Sequence, residues 1–373
     1  MTETLILADR LYDGVRPELQ PDRAVVIRDG TVVALRPATD ADRATPGAIR
    51  AAIAAPGMID IQINGAADTQ FNFEPTAAAI ARIARGARQG GTAHILPTFI
   101  TAHGQAYLTA LAAARQAIEA GAPGVIGVHL EGPFLSPARP GIHDRTAIRP
   151  LAEADVAALE REAASFPGVI LLTLAPECQE PERLRRLSDA GIILFAGHSE
   201  AKAEHLERIS GATHLWNAMP GPASRATGIV SEVLGGDRLF AGLIADGHHV
   251  RPHALRMSVR AAADRLCLVT DAMLTLAGTI QSFDLDGKLI KLADGRLTGQ
   301  DGTLAGAHIA MDESLRNLVD LAGMDLVGAL RMGSTNPARA LRLDHELGRI
   351  APGTRASISL FDEALSTLAV ISG

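Results

Sequence analysis

The sequence has little cysteine, few aromatic side chains, no basic run and no long apolar run. Cys178 and Cys267 are too few and too scattered in 373 residues for a disulfide framework or a thiolate metal site. Aromatic residues make up only 3%, so a core must be built from Ala, Leu, Ile and Val. That favours helices packed on branched-aliphatic strands over an aromatic-rich all-β design. The net charge is -7 with both signs interspersed, which makes nucleic acid an unfavourable partner but leaves room for a local basic pocket that takes an anionic small molecule. No apolar run reaches membrane-spanning length. The opening MTETLILADR has neither a basic region nor a long apolar stretch, so no signal peptide is expected and a reduced, cytoplasmic setting is. Fixed-period repeats and low-complexity tracts are also absent.

Apolar residues make up 47% of the chain, enough for one large core and a small extra domain. Residues 1–54 read as short strands, with Asp29-Gly30 between two apolar runs as a hairpin signal. Residues 346–373 have the same character, with a Pro-Gly turn and an alternating run from Ala356 to Phe361. The expectation is one small β domain assembled from both ends. Between them, over 55–345, eight apolar runs recur: MIDIQI, AHILPTFI, VIGVHL, VILLTLAP, IILFAG, ATHLWN, LFAGLIAD and RLCLVTD. Ala-rich or charged helical stretches separate most of them, which is the pattern of a (β/α)8 TIM-type barrel. A doubly wound open sheet uses the same alternation, but no G-x-G-x-x-G follows the first strand.

Chemistry collects where these runs end. In order stand Asp60, Gln62 and Asn64; Thr98; His129 and Glu131; Glu177; His198; His214 and Asn217; Asp246, His248 and His249; and Asp271. Loop composition alone calls for Gly, Asn, Ser or Lys at such places. In a barrel these ends share one face, where active sites are built. His198 and His214 would converge from adjacent strands, with Glu131 reaching the same point. Two imidazoles and a carboxylate leave a divalent ion one open position for water. Alone, either His is more often a hydrogen-bonded structural residue, Glu131 reads as an acceptor for its own loop, and Asp271 is as often a turn cap. Beside a bound ion, Asp271 is a proton shuttle. His143, Arg225 and His249 fall in loops after strands and together suit an anion such as phosphate. Asn217 and Leu304-Ala305-Gly306 offer polar contacts for a sugar or an amide. His94, His103, His205, His253 and His345 read as structural or surface residues, and His308 has no assignment.

The motifs PGMIDIQINGA, HLEGPF, GIHD, APE, AGHS, THLWNAMP, LIADGHHV, LVTDAM, GTLAGA and STNPARAL occur in the order seen in N-acetylglucosamine-6-phosphate deacetylases. Over nearly its whole length the chain resembles that family of the amidohydrolase superfamily. The resemblance implies a (β/α)8 barrel with a small β-sandwich domain, commonly in a homodimer, and cleavage of the acetyl group from N-acetylglucosamine 6-phosphate. By motif it implies Glu131, His198 and His214 as metal ligands, Asp271 as catalytic acid/base, and His143 as a substrate contact that steadies the oxyanion. Ile142 and His143, Asn217 and Ala218, the segment Asp246, Gly247, His248 and His249, and Leu304, Ala305 and Gly306 match sugar- and phosphate-binding segments. Arg225 falls where the family places a phosphate Arg, which in a dimer can come from the neighbouring subunit. Many superfamily members carry His-x-His on the first strand and a Lys on the fourth; here stand Gln62, Asn64 and Glu177. One divalent ion per subunit is therefore expected, zinc first, with iron, cobalt and manganese compatible. The chain also departs from the family at Ala66-Ala67-Asp68, at Ala226-Thr227 and in the short segment between His198 and His214. Rival readings are a deacetylase of the galactosamine epimer, another amide-cleaving or deaminating amidohydrolase, and a silent sugar-phosphate-binding paralogue.

Overall fold

The computed structural model of the chain describes residues 3–372. Near the N-terminus, β1 (Glu3–Leu11), β2 (Gln20–Arg28) and β3 (Thr31–Pro37) form an antiparallel meander, and β4 (Ile49–Pro56) runs parallel to β1. The β2–β3 turn is Asp29-Gly30, with φ of 46° and 78°. Both residues are left-handed, as a two-residue hairpin requires, and Gly and Asp tolerate that conformation best.

The barrel follows at once. Its strands are β5 (Met58–Ile63), then, after a small ladder of β6 (Gly65–Ala66) and β7 (Thr69–Gln70), β8 (Thr92–Ile100), β9 (Gly127–Glu131), β10 (Val169–Leu174), β11 (Ile193–Ala196), β12 (Gly211–Ala212), β13 (Phe240–Ile244) and β14 (Leu266–Val269). Each of the eight apolar runs overlaps one of these strands, and every neighbouring pair is parallel. The sheet closes just past β14: Asp271 N donates to Gln62 O at 2.8 Å, and Asn64 N to Ala272 O at 2.8 Å. The result is a (β/α)8 barrel.

Strand alternation sorts the side chains between two layers. In β9, Val128 and Leu130 join an apolar cluster with the outer helices, including Leu111, Val156 and Leu159. His129 and Glu131 therefore point into the barrel. In β10 and β11, Leu171, Ile193 and Phe195 take that inner face and pack with Ile59, Ile61 and Leu96. The helix Ala77–Gln89 starts where Thr76 accepts a hydrogen bond from Ala79 N, and it buries Ile80 and Ile83. The helical stretches between the apolar runs include Ala77–Gln89 and Glu153–Ala163.

After β14 the alternation is interrupted. A four-stranded antiparallel sheet, β15 (Ser282–Leu285), β16 (Lys288–Ala293), β17 (Arg296–Thr298) and β18 (Leu304–Ala307), precedes the helix Met311–Asp320. The sequence reading did not anticipate this insert. Its turns, Asp286-Gly287 and Asp294-Gly295, are left-handed pairs like Asp29-Gly30. The chain then returns to the terminal sheet, where β19 (Ser357–Phe361) pairs with β4 and β20 (Thr367–Ser372) forms the edge. That six-stranded sheet, drawn from both ends of the chain, is tied to the barrel where Met58 N donates to Ser359 Oγ and Ser359 Oγ donates to Gly91 O.

Candidate active site

The carboxyl ends of the barrel strands open into a cavity of about 550 Å³. Three residues, each two positions past the end of a barrel strand, have left-handed backbones: His198 (φ 49°), His214 (φ 32°) and Asp271 (φ 50°). Non-glycine residues in this region cost about 1–3 kcal/mol each and persist where the surroundings over-determine them, commonly at functional sites. Here the sharp turn leaves each side chain buried at the barrel mouth. Gly141 is also left-handed, at 55°, and a Cβ there would stand 2.9 Å from His198 Cε1. Only glycine fits that approach.

Glu131 Oε1 lies 2.9 Å from His214 Nε2 and 3.2 Å from His198 Nε2, and the two nitrogens are 3.1 Å apart. Donor atoms bound about 2.0–2.1 Å from a tetrahedral zinc stand about 3.3 Å from one another, so this spacing suits one ion. The donor chemistry fits as well. His198 Nδ1 is 2.9 Å from the Arg139 carbonyl, which only an N–H can satisfy, so Nε2 presents its lone pair. Gln62 Nε2 donates to the second oxygen of Glu131 at 3.2 Å. Burial favours the neutral carboxyl of Glu131, but the adjoining imidazoles of His198 and His214 outweigh it and hold the group well below the usual carboxylate range. Burial acts in the opposite sense on His214, and its contact with Glu131 raises it nonetheless. These groups could hold a divalent cation.

His143 completes the cluster, with Nε2 4.0 Å from Glu131 Oε1 and its ring centroid 4.3 Å from that of His198. Glu131, His143 and His198 by themselves also present donor atoms close enough to share a metal. His143 Nδ1 meets Thr101 Oγ at 2.8 Å, and that hydroxyl also lies 3.3 Å from the Glu131 carbonyl. While the hydroxyl donates to the carbonyl, it accepts from Nδ1 and leaves His143 Nε2 as an acceptor; turned toward Nδ1, it makes Nε2 a donor. Asp271 sits across the mouth, 8% exposed, with Asn64 Nδ2 donating to its Oδ1 at 2.7 Å. Burial, and next the charge of Glu131, push its carboxyl up to about 6.

The cavity wall includes Glu131, Ile142, His143, His198, His214, Asn217, Ala218, His249, Asp271, Leu304 and Gly306. Asp246 stands behind His249 and binds its Nδ1 at 2.6 Å and the backbone N–H groups of His248 and His249. Ala305 is buried against Met273 and Leu274. Arg225 is exposed in the loop before the helix Ile229–Gly235, and it, Gly247 and His248 are not part of the wall. Glu177 binds Ser199 Oγ and Glu200 N, bracing the turn after His198. Sequence reasoning missed Thr101, Arg139 and the contacts of Gln62 and Asn64. The last two carried a signal, since polar residues at the end of an apolar run stand at the barrel mouth, but their partners lie far away in sequence.

A family described as amidohydrolase matches residues 53–372 of the chain. The chain belongs to the amidohydrolase family. Within it, the chain is 33% identical to an N-acetylgalactosamine-6-phosphate deacetylase of Shewanella sp. (strain ANA-3), over 99% of this chain and 95% of that protein. It is 32% identical to the N-acetylglucosamine-6-phosphate deacetylase of Haemophilus influenzae, over 82% of this chain and 81% of the relative. The crystal structure of the Pasteurella multocida N-acetylglucosamine-6-phosphate deacetylase superposes with a TM-score of 0.92 at 30% identity, covering 100% of this chain and 98% of that one. The resemblance carried by the ordered motifs thus extends to whole sequences and to the fold. This amidohydrolase is a hydrolase with a Glu/His/His group able to bind metal. Among the described residues no helix is long and apolar enough to cross a membrane.

Proposed function

We propose that this amidohydrolase removes the N-acetyl group of N-acetyl-D-glucosamine 6-phosphate, yielding D-glucosamine 6-phosphate and acetate, as part of amino sugar catabolism. The observation that carries the reading is the buried Glu131–His198–His214 cluster, with Asp271 across the same cavity. Those three residues would hold one divalent ion, zinc in the first instance, and it would supply the Lewis acidity that the attack of water on the acetamide carbonyl needs. Asp271 accepts the proton of the attacking water and passes it to the departing amine, a task suited to a carboxyl held near 6. His143, with Thr101 turned toward its Nδ1, gives Nε2–H to the carbonyl oxygen as negative charge develops on it. Asn217, Ala218, Leu304 and Gly306 meet the sugar. His249, fixed by Asp246, serves the phosphate.

The remaining parts of the reading draw on the sequence and, for the dimer and Arg225, on the resemblance. Residues 1–54 and 346–373 form the small domain and 55–345 the catalytic barrel, in a cytoplasmic homodimer without nucleic acid or membrane partners. Arg225, exposed here, contributes to a phosphate site in the second subunit of that dimer. A second reading has its own support: the Shewanella relative, matched over 99% of this chain, is named for the galactosamine epimer. Acetate release from both N-acetyl amino sugar phosphates, measured side by side, decides between them. Release from neither, with zinc bound, would count against both and favour a silent paralogue.

A further inference from the structure

The first barrel strand ends in two amides, and each is bonded to a carboxylate of the site. Gln62 Nε2 donates to Glu131, and Asn64 Nδ2 donates to Asp271 Oδ1 at 2.7 Å and lies 3.4 Å from the Asp271 carbonyl. Both partners of Asn64 are acceptors, so the nitrogen must face them. The other end of the amide, Oδ1, is buried and has no hydrogen-bond partner among the described residues.

Neither end of this side chain is needed to close the barrel. The seam is made by backbone groups: Asp271 N to Gln62 O, and Asn64 N and Gly65 N to Ala272 O. A leucine would fill the same space without stranding an acceptor, so the asparagine is poorly explained as a packing residue. The seam does give Asn64 a rigid mount, because its backbone and that of Asp271 are bonded into one register. Held this way, the amide occupies Oδ1 and leaves Oδ2 as the oxygen of Asp271 that is free to exchange protons.

We infer that Asn64 is the positioning residue for Asp271, fixing which carboxylate oxygen faces the cavity. The kinetic part of this inference rests on the deacetylase reading; the geometric part does not. In Asn64→Leu, kcat should fall roughly 10–100-fold, the range expected for loss of an orienting partner. KM should stay within about threefold, zinc content and Tm should be retained, and the acidic limb of the pH–rate profile should move upward because the carboxylate loses a donor that favours its ionised form. Added to Asp271→Asn, the same change should cost no more than about twofold, since its target is gone. An unchanged kcat, a loss confined to KM, a loss of zinc in step with activity, or full additivity with Asp271→Asn would each overturn the inference. If the leucine variant does not fold, Asn64→Ala serves the same comparison.

Should wild-type enzyme release no acetate from either amino sugar phosphate, the deacetylase reading fails and positioning is read without substrate. The carboxyl carbon of Asp271, assigned by its absence in Asp271→Asn, is titrated by 13C NMR in zinc-loaded protein. A midpoint at least about half a unit higher in the Asn64 variant supports the inference, and an unmoved midpoint refutes it.

Discussion

Replacing Asp60 by Asn tests how the closing seam of the barrel carries charge. Asp60 is fully buried and accepts hydrogen bonds from Gln62 N at 3.1 Å, Thr270 Oγ1 at 2.5 Å and Thr270 N at 3.3 Å. Burial outweighs those donors and raises its carboxyl from the ordinary 3.8 to about 7. In the folded chain Asp60 therefore stays protonated over a range where the unfolded chain has already released that proton. Its contribution to stability is fully present below about 3.8 and is lost as pH rises through about 7. About three units at 1.36 kcal/mol each give a cost near 4 kcal/mol once the group is ionised, at pH 8 and above. Asn keeps the shape and an accepting oxygen and places its NH₂ against the Thr270 hydroxyl, which can turn to accept. Urea denaturation of wild type and Asp60→Asn at pH 5, 6, 7 and 8 should show the variant gaining on wild type throughout, by about 2–3 kcal/mol in total over that range. A difference that stays flat from pH 5 to 8 would show that Asp60 is ionised throughout, and the reasoning would fail.

Three other perturbations have defined outcomes. Gly141→Ala forces a methyl against His198 and strains a left-handed backbone; zinc affinity by competition with a chelator should drop at least about tenfold, with the fold kept by circular dichroism. Asp155 is buried under a two-pronged bond from Arg149 (2.5 and 2.9 Å) and a bond from the Tyr107 hydroxyl; Asp155→Ala should cost about 3 kcal/mol in chemical denaturation, because the partly buried guanidinium loses its counter-ion. His249→Ala should raise KM for the phosphorylated sugar roughly tenfold with little change in kcat, and an equal loss on the unphosphorylated sugar would remove it from the phosphate site.

The sequence carried the barrel because its strands are buried on both faces and stand out as near-continuous apolar runs. The β12 run is the instructive one. ATHLWN reads as a strand, yet only Gly211–Ala212 pair before the chain turns left-handed at His214. A run's apolarity reports burial, and the turn that aims the imidazole leaves no mark in composition. The four-stranded insert went unread although Asp286-Gly287 and Asp294-Gly295 carry the hairpin signal recognised at Asp29-Gly30. Its strands are short and half exposed, with Lys288, Lys291 and Asp284 breaking the apolar pattern, so little periodicity stood out. The convergence of Glu131, His198, His214 and Asp271 was legible because His and carboxylate side chains at the ends of apolar runs stand out and share one face of a barrel. Thr101, Arg139 and the bond from Asn64 to Asp271 were not. A threonine or a backbone carbonyl acts through proximity, and residues 207 apart in the chain meet only once the barrel closes.

Acetate release by zinc-loaded wild type and Asp271→Asn, with zinc content measured on the same samples, tests most directly the proposal that one ion at Glu131, His198 and His214 works with Asp271 to cleave an N-acetyl amino sugar phosphate. Wild type should turn over the glucosamine or galactosamine 6-phosphate substrate, and the variant should lose at least about 100-fold at unchanged zinc content. A variant that binds zinc and keeps near-normal kcat, or a wild type that binds zinc and releases acetate from neither sugar, would contradict it.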